Sequence, residues 1–337
     1  MGARISAIEF VKGSVELSNN HFSKKWPDYD FNRFQDKVGI KKRYRVSKKE
    51  NMLNLAEKAC NQLLKGKNVK SDIDYLILCT QSPEHFIPTN SCILQNRLGL
   101  NSNVGCLDFN LGCSGYIYGL SLAKGLINSK QAKKIVLVTS ETYSRYIHQD
   151  DLINQLIFSD AASATLIEFS ENEGIGNFTL GTDGTGFDKL IVKNNFFNKD
   201  ESPQDKKINE NITYNDNCLF MNGPEIFKFT IDKIPNLIKT NLTLNETDIE
   251  KLDYFILHQA NKFLLNSIRK KSRIPESKFV INFENIGNTI SSTIPIALKQ
   301  HIDEIHKMKE ARRNLKVFLC GFGVGLSWGA VTINLDI

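Results

Sequence analysis

The chain has 337 residues, of which 24% are charged and 41% are apolar, an ordinary composition for a globular protein with a large core or two domains. Its net charge of +6 is too small to indicate nucleic-acid binding, and no recognition motif of that kind is present. No stretch has the length of a membrane span, and residues 1–11 lack the apolar run of a signal peptide. We therefore expect a cytoplasmic protein that does not enter membranes.

The cysteines predict reduced thiols and no metal site. They are odd in number and scattered, which does not fit a disulfide framework. Neither a C-x-x-C nor an H-x-x-x-H pattern is present, so a zinc site is not expected. The seven positions are Cys60, Cys79, Cys92, Cys106, Cys113, Cys218 and Cys320.

The first hundred residues predict alternating strands and helices. The apolar patterns indicate strands at 4–15 and 73–80, a loop with a short helix at 19–33, and helices at 49–65 and 91–98. The run KKRYR at 41–45 has two interpretations. A solvated edge is the commoner fate of such a run, and a surface that binds the phosphates of coenzyme A or of a phosphopantetheine arm is the alternative.

Residues 104–127 contain the first candidate catalytic group. Residues 104–109 predict a strand, 110–113 a tight turn, and Ser114 begins a helix of small residues. Cys113 therefore lies at a helix N-terminus, where partial positive charge favours the reactive thiolate. The alternative is a small buried hydrophobic residue, which is the usual role of a free cysteine.

The remaining chain continues the alternation. Strands are predicted at 134–140, 252–257, 279–283, 315–319 and 332–335, a turn plus strand at 155–169, a hinge at 171–176, a hairpin with a long exposed loop at 187–222, and helices at 224–242, 262–272 and 298–313. This order predicts an α/β protein with mostly parallel strands.

Two more polar groups follow predicted strands in the second half. His258 comes directly after strand 252–257, and Asn288 comes shortly after strand 279–283. A cysteine nucleophile with imidazole and amide donors can process a thioester and stabilise an enolate oxygen. The alternatives are a structural histidine and a simple Gly-Asn turn.

Four segments carry a family resemblance. They are DFNLGCSGY at 108–116, LHQAN at 257–261, GNTISSTIP at 287–295 and GFGVGLSWG at 321–329. In these motifs, their order and their spacing, the chain resembles the β-ketoacyl-acyl-carrier-protein synthase III family of thiolase-superfamily condensing enzymes. The resemblance implies an α/β, thiolase-like, duplicated five-layered α-β-α-β-α fold with mostly parallel or mixed sheets. It divides the chain into a half at 1–172 with the nucleophile and a half at 173–337 with the histidine and asparagine.

The resemblance also implies the reaction. An acyl thioester is expected to acylate Cys113, and malonyl-acyl carrier protein then to lose carbon dioxide and condense with the acyl group, so the resemblance implies an acyltransferase of fatty acid biosynthesis. His258 and Asn288 stabilise the enolate, and backbone N–H groups of Cys113 and of Gly323-Val324-Gly325 form the oxyanion hole. No cofactor beyond the acyl-CoA or acyl-carrier substrate is implied.

Further residues are assigned by resemblance to binding surfaces. A loop with Phe86 and Ile87 is expected to cross the interface of a homodimer and to shape the neighbour's acyl pocket. A solvated basic face is the alternative for the helix at 262–272, which is expected to dock the acyl carrier protein. The residues expected to bind the carrier or its pantetheine arm are Lys37, Arg43, Lys262, Arg269, Lys270 and Lys271.

The chain departs from the family at the coenzyme A site. Residues 31–39 contain no tryptophan, Lys37 stands in place of an arginine, and Leu152 stands where a second arginine is expected. Lysine lacks the planar fork of arginine, so this exchange is not conservative. We therefore expect acetyl-CoA to be a poor primer, and either a carrier-bound primer or a coenzyme A ester held differently.

Other functions remain open from the sequence. The same fold can transfer an acyl group from cysteine to a hydroxyl or amine without forming a carbon–carbon bond, although such relatives often replace the asparagine. A condensing enzyme with an unusual β-keto acid or aromatic starter is a related alternative. A non-catalytic binding scaffold is the third, and it is disfavoured by the complete set of Cys113, His258 and Asn288.

Overall fold

The computed structural model describes residues 2–67, 69–194, 202–307 and 314–336. Its strands are β1 (Gly2–Lys12), β2 (Val15–Ser18), β3 (Lys42–Arg45), β4 (Tyr75–Cys79), β5 (Gly105–Phe109), β6 (Lys134–Glu141), β7 (Ala161–Ser170), β8 (Ile175–Thr182), β9 (Leu190–Val192), β10 (Lys206–Asn209), β11 (Ile212–Tyr214), β12 (Leu219–Met221), β13 (Tyr254–Leu257), β14 (Asn314–Gly323) and β15 (Ser327–Asp336). Its α-helices are α1 (Phe31–Val38), α2 (Met52–Leu64), α3 (Asn90–Leu98), α4 (Gly115–Asn128), α5 (Leu152–Ile157), α6 (Gly223–Leu244), α7 (Lys262–Lys271) and α8 (Thr293–Lys307).

Two main sheets organise these elements. The first has the order β1-β7-β6-β4-β5 and the second the order β13-β14-β15-β8. Within them, β4–β5, β4–β6 and β13–β14 are parallel, whereas β1–β7, β6–β7, β14–β15 and β8–β15 are antiparallel. The sheets are therefore mixed, as the resemblance allows, but antiparallel pairs outnumber parallel ones, so the pattern-based expectation of mostly parallel strands does not hold. Strand β15 returns beside β14 through a short turn, and β7 runs back beside β6 after α5.

The hydrophobic core shows five layers. Helices α2 and α3 cover the outer face of the first sheet, and α6 and α7 cover the outer face of the second. Between the sheets, α4 and α8 pack against both, with Tyr116 and Ile294 among the fully buried residues of this central cluster. The order α-β-α-β-α is the one expected from the resemblance.

The loops that follow β4, β5 and β6 lie at the same edge of the first sheet, because these strands are parallel. In the register of β4 with its two neighbours, Cys79 lies opposite Phe109 of β5 and Thr139 of β6. The carboxyl ends of parallel strands meet at one sheet edge, which is where such folds place their sites. In the second sheet, Leu257 of β13 likewise lies opposite Cys320 of β14.

Several predicted elements differ from the structure. Residues 279–283 form no strand; Phe279 makes an isolated bridge to Phe255, and the Val280 N–H donates to the Phe255 carbonyl. Strand β15 begins at Ser327, not at 332, because residues 327–331 pair with both β14 and β8. Residues 152–157 form α5, which the sequence did not predict.

The predictions for residues 187–222 and 298–313 are partly confirmed. The hairpin predicted within 187–222 is present as β10–β11, and residues 195–201 of its loop lie outside the described residues. The helix predicted at 298–313 starts earlier, at Thr293, and residues 308–313 lie outside the described part of the chain. Among the described helices, none combines the length and the apolarity that crossing a bilayer requires.

Candidate active site

Cys113 lies between β5 and α4, two residues before the helix begins. Its side chain is 6% exposed, and β14 packs directly against it. A Cβ atom added at Gly323 would be 3.0 Å from the Cys113 Cβ and 3.1 Å from its Sγ. A Cβ at Gly321 would be 2.7 Å from the Cys113 carbonyl oxygen. Glycines on β14 therefore allow the second half of the chain to contact the nucleophile of the first.

The electrostatics of Cys113 differ from the sequence expectation. Burial raises the pKa of the thiol, and the nearby Glu141 carboxylate raises it further. Hydrogen bonds from the backbone N–H groups of Cys113 and Val324 act in the opposite direction. The expected lowering of the pKa is wrong for the resting protein, because desolvation outweighs the helix N-terminus. The N–H groups of Cys113 and Val324 thus lie within hydrogen-bonding reach of the sulfur, close to where a thioester carbonyl attacked by it would lie.

His258 is buried directly after β13, and its N–H donates to the Cys320 carbonyl of β14 at 2.8 Å. Its Nδ1 lies 2.7 Å from the Thr293 Oγ1, and that hydroxyl lies 3.0 Å from the carbonyl oxygen of Ile290. The imidazole packs edge-on against Phe322, with 5.6 Å between the ring centroids. Burial lowers the pKa of His258 to about 3, so the ring is neutral at physiological pH.

Asn288 is held by the strand-like segment before β7. Its N–H donates to the Ile157 carbonyl at 2.9 Å, and its carbonyl accepts from the Ser159 N–H at 2.9 Å. The side-chain Oδ1 accepts from the Ile290 N–H at 2.9 Å. Because only the amide oxygen can accept from an N–H group, the NH₂ group of Asn288 is turned away from Ile290 and is oriented as a donor.

Ile290 connects the three groups. It packs in the same buried cluster as Cys113. Its carbonyl hydrogen-bonds to Thr293 and to His258, and its N–H is bound by Asn288. Its φ of +56° is uncommon for a β-branched residue, and such backbone conformations concentrate at functional sites. The structure thus brings Cys113, His258 and Asn288 together around one residue.

The wall around Cys113 contains residues that the sequence analysis missed. Its buried cluster includes Tyr143, Phe158, Leu190 and Leu219. The Tyr143 hydroxyl donates to the Gln81 side-chain oxygen, and a Cβ atom added at Gly112 would be 2.6 Å from that oxygen. Gln81 follows predicted strand 73–80 as directly as His258 follows its own strand, and this signal could have identified it.

Glu141 is a second missed residue, and it is fully buried at the end of β6. Its carboxylate accepts from the Gln81 N–H at 3.1 Å, the Ser82 hydroxyl at 2.9 Å and the Ser291 hydroxyl at 2.9 Å. Burial is the main reason that its pKa is raised to about 8. An acid directly after predicted strand 134–140 was the available signal.

Comparison with known proteins identifies the family of the chain. Two family models match, both of 3-oxoacyl-[acyl-carrier-protein (ACP)] synthase III: one at residues 107–184 and the C-terminal one at residues 242–335. A beta-ketoacyl-[acyl-carrier-protein] synthase III of Clostridium perfringens is 34% identical over 301 residues, covering 89% of both proteins. One of Clostridium tetani is 34% identical over 323 residues, covering 95% of this chain and 94% of the relative. The chain belongs to the 3-oxoacyl-ACP synthase III family.

Solved structures of the family have the same fold. One 3-oxoacyl-(acyl-carrier-protein) synthase III is 38% identical and superposes with a TM-score of 0.93, covering 99% of this chain and all of that one (100%). The synthase of Burkholderia xenovorans LB400 is 30% identical and has a TM-score of 0.91, covering 100% of this chain and 95% of its own. These similarities confirm the predicted thiolase-like fold class and the ketoacyl synthase activity.

A surface cavity of about 660 Å³ lies between residues 25–38 and α5. Trp26, Arg33 and Lys37 line it, and so does Ile157. Ile157 also packs against the cluster that contains Cys113, so the cavity adjoins the wall of the candidate site. Leu152, at the first turn of α5, is fully buried and supplies no charge.

The basic residues predicted to bind the carrier separate into two groups. Lys37 and Lys262 are exposed and adjacent, because the end of α1 packs on the start of α7: a Cβ at Gly39 would be 3.0 Å from the Lys262 Cβ. The Lys37 Nζ lies 5.6 Å from the ring centre of the exposed Phe263. Farther along α7, Lys270 and Lys271 are exposed, whereas Arg269 is ion-paired with Glu276 at 3.2 Å.

Arg43 requires a correction. Its side chain is fully buried, and its guanidinium donates to the Asn19 side chain at 2.6 Å and to the Leu156 carbonyl at 3.0 Å. Burial lowers its pKa to about 9. Arg43 therefore neither contacts a carrier protein nor lies on a solvated edge. The residues that enclose its side chain come from distant parts of the sequence.

The predicted dimer loop is exposed in the single chain. Phe86 is 60% exposed and Ile87 is 83% exposed. Large apolar side chains on a loop tip are consistent with a contact outside this chain. Their contribution to a neighbouring acyl pocket stays a prediction.

Proposed function

We propose that the chain forms a 3-oxoacyl thioester by decarboxylative condensation, with Cys113, His258 and Asn288 as catalytic residues. The observation that carries the proposal is the arrangement around Ile290, which holds a neutral imidazole and an oriented amide beside the buried thiol. No cofactor beyond the two thioester substrates is needed for this chemistry, and we propose none.

The first half-reaction is acyl transfer. The Cys113 sulfur attacks the carbonyl carbon of an acyl thioester, the bond from that carbon to the donor sulfur breaks, and the thiol proton leaves with the donor thiol. Backbone N–H groups of Cys113 and Val324 stabilise the oxyanion. Val324 side-chain atoms pack near Gly112, and this contact supports a fixed position for its N–H group.

The second half-reaction is condensation. The malonyl thioester loses carbon dioxide, and the electron pair of the broken bond forms an enolate whose oxygen accepts from His258 and Asn288. The enolate carbon then attacks the acyl carbonyl, and the Cys113 sulfur leaves. For His258 to donate from Nε2, its Nδ1 must accept a proton from another group. The Thr293 hydroxyl lies 2.7 Å from Nδ1 and 3.0 Å from the Ile290 carbonyl oxygen, so it can give its one proton to either, and this tautomer requires it to turn from the carbonyl to Nδ1.

The malonyl group is proposed to arrive on an acidic acyl carrier protein. Lys37, which lines the cavity that adjoins the site, and the adjacent Lys262 provide positive charge beside the exposed Phe263. Lys270 and Lys271 extend this charge along α7. A cytoplasmic location and a homodimer that uses Phe86 and Ile87 belong to the same proposal.

The primer is proposed to be a carrier-bound acyl chain, or a coenzyme A ester that Trp26 and Arg33 hold in place of the usual arginines. Trp26 supplies a flat aromatic face to the cavity, and Arg33 supplies a planar cation. Acetyl-CoA is expected to be a poor primer, because Lys37 and Leu152 replace two arginines.

Intact-protein mass spectrometry tests the proposal. The protein is incubated with acyl-CoA and acyl-carrier donors and then with malonyl-acyl carrier protein; the C113S variant is the negative control and C106S the matched cysteine control. We expect an adduct on Cys113 that disappears with malonyl addition and leaves a 3-oxoacyl carrier. An adduct that persists with malonyl and clears with alcohols or amines would instead establish an acyltransferase.

A further inference from the structure

Glu141 joins three separate segments of the chain. Its carboxylate accepts hydrogen bonds from the loop after β4, at Gln81 and Ser82, and from the turn before α8, at Ser291. Ser291 follows Ile290, and the side chain of Gln81 lies over Gly112, which precedes Cys113. One buried side chain therefore holds both the nucleophile's loop and the turn that carries Asn288.

The surroundings of this carboxylate are acidic. The titratable groups that interact electrostatically with Glu141 all become negative when they ionise. They are Asp160, Cys79, Cys113, Tyr143 and Tyr146. Among the described residues, no salt bridge joins Glu141 to a cation. A buried carboxylate without a cation is costly when ionised, and such groups concentrate at functional sites.

We propose that Glu141 is a positioning residue for Cys113, and that its neutral form leaves this buried region able to accommodate one negative charge on the thiolate. The proposal rests on the proposed function only in assigning Cys113 as the nucleophile. Glu141 and Cys113 interact electrostatically, and negative charges on both oppose each other, so ionised Glu141 disfavours the Cys113 thiolate. The protonated carboxyl keeps its contacts, because serine hydroxyls can rotate to accept as well as donate.

This arrangement predicts a specific pH profile. Burial raises the pKa of Glu141 to about 8, so the carboxyl is mostly protonated at neutral pH. Below that pH the fraction of thiolate at Cys113 rises tenfold for each pH unit. Above it, ionisation of Glu141 opposes thiolate formation, and the rise becomes less steep.

The experiment measures alkylation of Cys113 by iodoacetamide from about pH 6 to about pH 10, in the full-length protein and in E141Q, with peptide mass spectrometry as readout. We expect a bend near pH 8 in the wild type and a straight profile in E141Q. Above the bend, E141Q is expected to react roughly threefold or more faster, and below it the two rates agree. No substrate is involved, so a failure of condensation does not affect this result.

Two further variants complete the test. E168Q changes a glutamate on β7 that is paired with the opposite end of β6, and it is expected to keep the bend. S291A removes a hydrogen bond that lowers the pKa of Glu141, so it is expected to move the bend to higher pH. A straight wild-type profile, or a bend that E141Q retains, would overturn the proposal.

Discussion

The side-chain oxygen of Asn288 accepts a hydrogen bond from the backbone N–H of Ile290, two residues ahead, at 2.9 Å. This hydrogen bond occupies the amide oxygen, so the NH₂ group of Asn288 is the part that can donate to a substrate. The exchange N288D keeps the shape and the acceptor but removes the donor. We expect condensation to fall roughly a hundredfold or more, about 3 kcal/mol of barrier, as for the loss of one oxyanion donor.

Acylation of Cys113 provides the control for this prediction. It does not require the enolate donors, so acylation of N288D is expected to fall much less than condensation, and only by as much as the added carboxylate raises the pKa of the Cys113 thiol. The two steps are measured separately, by carbon dioxide release from malonyl-acyl carrier protein and by the mass of the acyl adduct. Equal losses in both steps would show that Asn288 acts on the structure of the site.

Thr293 is expected to set the tautomer of His258. T293V preserves volume but removes the hydroxyl that lies 2.7 Å from Nδ1 and donates to it in the proposed tautomer, whereas T293S retains a hydroxyl. Condensation is expected to fall roughly tenfold in T293V, which corresponds to loss of about one hydrogen bond, and to change little in T293S. The measurement is the rate of carbon dioxide release, with imidazole nitrogen chemical shifts as a direct report of the tautomer.

Gly323 is expected to tolerate no side chain. In G323A, the new methyl group would contact the Cys113 sulfur at 3.1 Å. We expect alkylation and acylation of Cys113 to fall sharply, and the unfolding free energy to fall by about 1–3 kcal/mol. G125A is the matched control, because a Cβ atom there meets open space on α4. An active G323A enzyme would mean that β14 can move away from the nucleophile.

Stability is expected to depend on the charge of Glu141. A glutamate in an unfolded chain has a pKa near about 4.3, whereas burial raises the folded value to about 8. The protonated form therefore stabilises the fold, and this contribution is complete below the unfolded pKa and is lost as the pH rises through about 8. Relative to E141Q, the wild type is expected to lose on the order of a few kcal/mol across that range.

Urea denaturation at a series of pH values measures this difference. The comparison with E141Q removes the titration of the other acids, which both proteins share. A constant difference in unfolding free energy across the pH range would show that Glu141 has similar pKa values in the folded and unfolded states.

Lys262, which precedes Phe263, is expected to contribute to binding of the acyl carrier protein. K262E reverses a charge next to Lys37, which lines the cavity, and we expect KM for malonyl-acyl carrier protein to rise roughly tenfold at low salt, with the effect reduced at high salt. Acylation of Cys113 by a small thioester is expected to remain unchanged. K67E, an exposed position after α2, is the control for net charge.

The three candidate catalytic residues could be found from sequence because each follows an apolar run that forms, or lies beside, a strand. His258 directly follows β13, and Cys113 follows β5 with only the turn between them. Strand ends in α/β folds carry chemistry, so position and residue type together were informative. The segment before Asn288 was misassigned as a strand, but its extended conformation beside Phe255 led to the same site.

Arg43 and Glu141 could not be placed in this way. The partners of Arg43 include Leu156, 113 residues away, and those of Glu141 include Ser291, 150 residues away. A local pattern contains no information on such pairings, so a basic run was assigned to the surface and a buried acid was missed. The division of the chain at residues 172 and 173 stays a prediction.

The contact between Gly323 and Cys113 has a consequence for folding. The thiol belongs to the first sheet's side of the molecule, and the backbone that shields it belongs to the second. Neither part can bury the thiol alone. We therefore expect protection of Cys113 from alkylating reagents, followed during refolding, to report the moment at which the two sheets associate.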